Sequence, residues 1–384
     1  MEYSTKNLET IEKPKNNRLT FIFLGILFPF AITILSIVLV FIKSQNTKIL
    51  IPQSISNFEN ASPTPAQNIL LQTPTKRKIL TNDYHIFQTF NNCGPAALSM
   101  ALSYYGINVS QQELGNALRP YQIPGGDNDD KSVTLEELAE KSKEYDLIPY
   151  HRPMGNETLI KYFIAYDIPV ITRTWTKPNE DIGHYRIVKG YDENKGVLIQ
   201  DDSLQNKNLQ YSYSDFNEIW KKFNYEYLVL VPVKKQEIAK QILGEDLNEK
   251  VAWQKAVENS LMQLRENPDD IYTRFNLSVA YYNIGEFQKS TEEFEKVENG
   301  LPFRTLWYQI EPILAYYELG NYTKVFEITD RVLNNHNRAF SELYVLRGKI
   351  YQSQGNIEAA RNEFEKAVFY NENLTEAKDL LNSI

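Results

Sequence analysis

The chain is short of cysteine: Cys93 is the only one in 384 residues. A single thiol cannot form an internal disulfide, and with no CxxC pair or Cys/His cluster the spacing of a zinc site is missing as well. A surplus of positive charge is also absent. Lysine and arginine total 41 against 49 aspartates and glutamates, a net charge of −8, which is not the basic footprint of a nucleic-acid binder. No GxxxxGK[ST] phosphate loop occurs. GGDNDDKS, from Gly125, lacks the glutamate that an EF-hand carries at its twelfth position, so it reads as a polar turn. No metal, cofactor or nucleic-acid partner is therefore expected. The length suits two or three units, each able to bury a core.

What the chain does have begins with a long apolar run. Leu19 to Ile42 is 24 residues without a charge, enough to span a bilayer. Lys6, Lys13, Lys15 and Arg18 precede it, and only Lys43 and Lys48 follow closely. The positive-inside bias then predicts a single-pass anchor over 19–42, residues 1–18 in the cytoplasm and everything beyond outside. Residues 43–80, rich in Pro, Ser, Asn, Gln and Thr, read as a linker.

Residues 81–233 read as helices first and strands afterwards, an α+β domain. A helix is expected from Cys93 to Gly106, and Ser110/Glu113 and Thr134/Glu137 fit capping boxes. Asn91 and Asn92 are candidate caps for the Cys93 helix, and Ser214 for a short helix DFNEIWKKF. The strands are IPVITRTW, GHYRIVKGYD, GVLIQDD, LQYSY and YEYLVLVPV, with ENKG a hairpin turn.

From 237 to 384 the sequence is helical and repeats itself. Gly285, Gly320 and Gly355 lie 35 residues apart, and Tyr281, Tyr316 and Tyr351 keep the same step. Ser290/Phe294 and Ala360/Phe364 follow at matching offsets, with Val325/Thr329 in the middle unit. These segments resemble tetratricopeptide repeats. The resemblance implies a short all-α solenoid over about 271–372, preceded by one helix and closed by another, whose surface takes a protein partner.

Cys93 stands where a helix begins, and the partial positive charge of unpaired N–H groups favours a thiolate there. Gly94 leaves room beside it for a substrate carbonyl. A buried structural cysteine is the alternative. Of four histidines, His336 falls in the repeats, while His85 and His151 lack an evident route to the thiol. His184 opens a strand, and the next strand ends in Asp201 and Asp202, so a hairpin can bring a carboxylate beside the imidazole.

QTFNNCGPAALSMALSYYG, GHYRIVKGYD and VLIQDDS, in that order, resemble the three blocks of papain-like cysteine peptidases related to the bacteriocin double-glycine leader peptidases. The resemblance implies a papain-like fold with Cys93 as nucleophile, His184 as base, Asp201 as the group orienting it and Gln88 as oxyanion donor. Asp202 stands where that family usually has proline and is the other candidate for the orienting role. The expected whole is a membrane-anchored, extracytoplasmic hydrolase of peptide or amide bonds, its repeats recruiting a protein partner or substrate. The rival readings are an idle peptide-binding scaffold and a cell-wall peptide amidase or acyltransferase.

Overall fold

A computed structural model describes residues 70–123, 133–335 and 337–384. The expected span at 19–42, most of the linker, GGDNDDKS and His336 lie outside these residues. Among the described residues no helix is long and apolar enough to cross a membrane.

The first part of the chain folds as a seven-stranded antiparallel sheet between two helical layers. Its strands are β1 (Arg77–Ile79), β2 (Leu147–Arg152), β3 (Val170–Lys177), β4 (Glu180–Asp192), β5 (Val197–Asp202), β6 (Leu209–Ser212) and β7 (Tyr227–Pro232). They run in the order β2-β7-β3-β4-β5-β6, with β1 paired to the far end of β4. The sequence reading missed β1 and β2, which are respectively very short and interrupted by Pro149. Helices α1 (Cys93–Ser103), α2 (Gln111–Leu118) and α3 (Leu135–Ser142) share one core with Tyr185, Ile187 and Leu228. Helices α4 (Glu157–Ala165), α5 (Tyr213–Trp220) and α6 (Gln236–Leu243) share a second core with Val188, Leu198 and Val229. Alternating residues of the same strands thus feed opposite faces.

Local signals account for most boundaries. The Thr134/Glu137 capping box is complete in both directions, and the Ser110 hydroxyl accepts from Glu113 N–H. The hairpin turn closes at Gly196, whose φ of +64° suits glycine. Two expected caps differ. Ser212, not Ser214, caps α5, accepting from Asp215 N–H, because α5 begins one residue after it. Asn92 holds the N-cap position of α1, but its Nδ2 donates to the Thr89 hydroxyl at 2.8 Å instead of its oxygen capping the helix.

The rest is helical: α7 (Glu249–Glu266), α8 (Ile271–Asn283), α9 (Phe287–Glu295), α10 (Thr305–Tyr308), α11 (Glu311–Glu318), α12 (Tyr322–Asn334), α13 (Ser341–Ser353), α14 (Ile357–Tyr370) and α15 (Thr375–Asn382). Three hairpins, α8/α9, α11/α12 and α13/α14, turn at the three glycines spaced by 35, each at positive φ. Ser290, Phe294, Val325, Thr329, Ala360 and Phe364 are all buried where each second helix meets its first. The short α10 is an insertion between the first two hairpins.

Residues 68–384 form one compact unit. Trp175, Ile219 and Phe223 of the sheet domain belong to the same apolar core as the repeats, and Trp175 meets Tyr272 edge-on at 4.9 Å. At the other end of the array, Asn373 Nδ2 donates to the Asn116 carbonyl at 2.9 Å, and Tyr370 packs on Tyr121.

Candidate active site

Cys93 is the first residue of α1 and is buried, 6% exposed. The adjoining Gly94 is needed for a reason other than room for a substrate: a Cβ there would lie 2.1 Å from Val133 Cγ2 and 3.5 Å from the Tyr185 ring. Close packing of α1 against that loop and β4 therefore places the thiol.

His184 projects from β4 and is 2% exposed. The Cys93 thiol hydrogen-bonds it on one side, and on the other its Nε2 lies 2.9 Å from Asp202 Oδ1. Cysteine, histidine and carboxylate thus stand in one hydrogen-bonded chain. The partner is Asp202, not the expected Asp201. Asp202 sits opposite Arg186 in the β4/β5 ladder, and Arg186 shares a strand face with His184 two residues away. Asp201 sits opposite Ile187 and turns to the other face, where its carboxylate pairs with Lys189 at 2.7 Å.

Asp202 is held from all sides. Oδ1 also accepts the N–H groups of Leu204 and Gln205 at 2.7 and 2.9 Å, and Oδ2 pairs with Arg186 Nε at 3.0 Å. Burial alone would raise its carboxyl. The bond to His184, its charge, Arg186 and the Gln205 N–H outweigh burial and hold it down at about 2. Burial likewise works against an imidazolium at His184, as does Arg186. The hydrogen bonds to Asp202 and Cys93 and the Asp202 charge win, so its pKa is raised. The imidazole thus stands between a carboxylate and the thiol, where its hydrogen bonds and the Asp202 charge favour the proton-bearing form more than in water.

Gln88 is tied to the residue after Asp202. Its N–H donates to the Ser203 carbonyl at 2.8 Å, and its Oε1 accepts from the Ser203 hydroxyl at 3.0 Å, leaving Nε2 as the donor to offer elsewhere. His85 does fold back, but onto the Asp202 carbonyl at 3.0 Å. His151 pairs with Glu226 on β7's side of the sheet.

Two residues escaped the sequence reading. Arg186 is wholly buried, bonding the Trp175 and Thr176 carbonyls besides Asp202. A lone arginine inside the apolar strand GHYRIVKGYD was the available signal. Tyr308 comes from α10 of the repeat region and packs its ring on Gly183, where a Cβ would lie 3.1 Å from Cδ1. Its carbonyl accepts from buried Arg173, and its phenol lies in the neighbourhood of Cys93. Nothing in its local sequence announces that position.

A cysteine at the head of a helix packed on an antiparallel sheet that supplies histidine and aspartate defines a papain-like cysteine peptidase fold. Residues 74–228 match the model of the Peptidase_C39 like family, and residues 341–374 match a tetratricopeptide repeat. The chain carries a C39-like peptidase domain followed by tetratricopeptide repeats.

Similar solved structures include a putative C39-like peptidase from Bacillus anthracis, 17% identical with a TM-score of 0.34, covering 40% of this chain and 97% of that one. The peptidase domain of Streptococcus ComA, a bifunctional ABC transporter involved in a quorum-sensing pathway, is 22% identical with a TM-score of 0.31, covering 38% and 96%. A double glycine motif protease from an AMS/PCAT transporter, solved with its leader peptide, is 17% identical with a TM-score of 0.31, covering 39% and 91%. No curated protein gives a significant match.

Proposed function

We propose that the protein is a cysteine hydrolase of peptide or amide bonds, working through an acyl-thioenzyme with Cys93 as nucleophile, His184 as base and Asp202 as the orienting carboxylate. The observation that carries this reading is the unbroken hydrogen-bonded chain from the Cys93 thiol through His184 to Asp202.

In the reaction, His184 holds the thiol proton while the thiolate attacks the carbonyl carbon. A C–S bond forms and the π electrons move to oxygen, where Gln88 Nε2 and backbone N–H groups at the start of α1 serve as donors. Collapse of this intermediate breaks the C–N bond, and the leaving amine takes the proton from His184. Water then attacks the thioester, giving one proton to His184; the carboxylic acid leaves and the sulfur regains its charge. Asp202 keeps the imidazole in one orientation throughout.

Residues 19–42 anchor the protein in a membrane, with residues 1–18 in the cytoplasm and the catalytic domain and repeats on the other side; the uncharged run and the lysines and arginine before it support this. The repeats recruit a protein partner or the substrate polypeptide.

Mass spectrometry after treatment with a thiol-reactive peptidyl probe tests the catalytic reading. Cys93 of the wild type should be labelled at least ~10²-fold faster than Cys93 of His184→Ala. Equal rates would mean that the histidine does not activate the thiol and would remove the reading.

A further inference from the structure

The catalytic domain and the first helices of the three hairpins line an open cavity of about 300 Å³. One wall is Glu136 and Arg173, and the other includes Tyr282, Tyr308 and Glu311. Tyr308 lines this cavity and also packs its ring on Gly183, the residue before His184.

The lining is acidic, and among the described residues Arg173 is its one cation. Arg173 is already engaged: it donates to the Tyr308 carbonyl, and its guanidinium lies 4.7 Å from the centre of the Phe223 ring. Glu311 is not engaged in this way. Its Oε2 is buried and accepts no hydrogen bond. Burial first, then the charges of Glu226 and Glu136, push its carboxyl up to about 7 against the pull of Arg173 and its own backbone N–H. A buried carboxyl oxygen without a donor is a costly feature unless something supplies one. An ammonium group would supply both the donor and the countercharge, and Leu314 and Trp307 in the same lining suit the aliphatic stem that carries it.

We propose that this cavity is a substrate subsite for a cationic side chain of the lysine type, anchored by Glu311, and that the repeats thereby share in selecting what reaches Cys93. The proposal rests on the peptidase reading of Cys93 and His184.

Calorimetry on the full chain in detergent, with acetyl-Ala-Lys-Ala amide and its norleucine analogue, tests it. The lysine peptide should bind roughly 10-fold tighter than the norleucine one, and Glu311→Gln should abolish the difference. Should Glu311→Gln lower the melting temperature, Glu136→Gln, on an exposed position of the opposite wall, should still narrow the preference by about three-fold. Equal affinities in the wild type, or an undiminished preference in both variants, would overturn the subsite. Binding is read without turnover, so the two ideas fail separately. Iodoacetamide labelling of Cys93 that is equal in wild type and His184→Ala sinks the peptidase reading, and with it the role of the cavity in selecting substrates. Labelling that depends on His184, without a lysine preference, sinks only the subsite.

Discussion

Asp201 and Asp202 are neighbours in sequence with different work. Asp202→Asn removes the acceptor that holds His184 and should slow labelling of Cys93 by roughly 10²-fold or more, measured below the melting temperature because Arg186 loses its counterion too. Asp201→Asn should leave the labelling rate within a few-fold. Its cost is stability, since Lys189 is left buried without its partner; urea unfolding should show a loss of about 3 kcal/mol. Reversed results would return the orienting role to Asp201.

The same carboxylate sets an acid response. The folded-state pKa of Asp202 is depressed to about 2, so its contribution to stability is present above the unfolded value of about 3.9 and is lost as pH falls through the folded one. The urea midpoint of the wild type should drop between roughly pH 4 and pH 2, and that drop should be smaller in Asp202→Asn. His184 works in the opposite direction. Its pKa is raised, so its contribution is complete below the unfolded value of about 6.5 and fades as pH rises through the folded one.

Among the elements, the β4/β5 hairpin decides the site. A bulge between Val188 and Gly190 inserts one residue into β4, with Lys189 as the extra residue. Gly190 lies beside it under β1, where a Cβ would stand 2.8 Å from the Lys78 carbonyl and 3.0 Å from Ile79 Cα. Both are backbone atoms and cannot swing aside. Gly190→Ala should therefore force β1 off the sheet or shift the bulge, at a cost of about 1–3 kcal/mol in chemical denaturation. A shift of the bulge would also disturb the pairing of His184 with Asp202, so labelling of Cys93 should fall with stability.

For the whole molecule, the shared core means that the peptidase domain and the repeats do not fold as separate bodies. Trp175, Ile219 and Phe223 are covered by repeat residues, and Tyr308 closes over Gly183. Removing residues 237–384 would bare that apolar surface. The shortened chain should bind a hydrophobic dye and aggregate, while calorimetry of residues 68–384 within the full chain should show one unfolding transition. Two well-separated transitions would mean that the interface is too weak to couple the halves. The coupling also holds Tyr308 of the repeat region against Gly183, next to His184.

Much of this was written in local patterns. Thr134 with Glu137 starts α3 wherever the chain goes, because the capping box closes within four residues. The 35-residue step of glycines 285, 320 and 355 marks three helical turns, because each glycine meets a positive φ that other residues resist. Cys93 before Gly-Pro and His184 in the strand that follows were legible as a pair to bring together, although β4 begins at Glu180, ahead of the expected start at Gly183. Which aspartate would join them was not. Had the pairing of Gly190 with Ile199 continued without interruption, Asp201 would have faced His184; the single extra residue at Lys189 inverts the alternation and turns Asp202 there instead. The approach of Tyr308 to Gly183 was equally invisible, since it joins positions 125 residues apart through the docking of two cores. Sequence by itself determined the elements and the reactive pair, because those depend on neighbours along the chain. Only the tertiary structure decided the carboxylate and the approach of Tyr308, because register and docking depend on contacts that no local window contains.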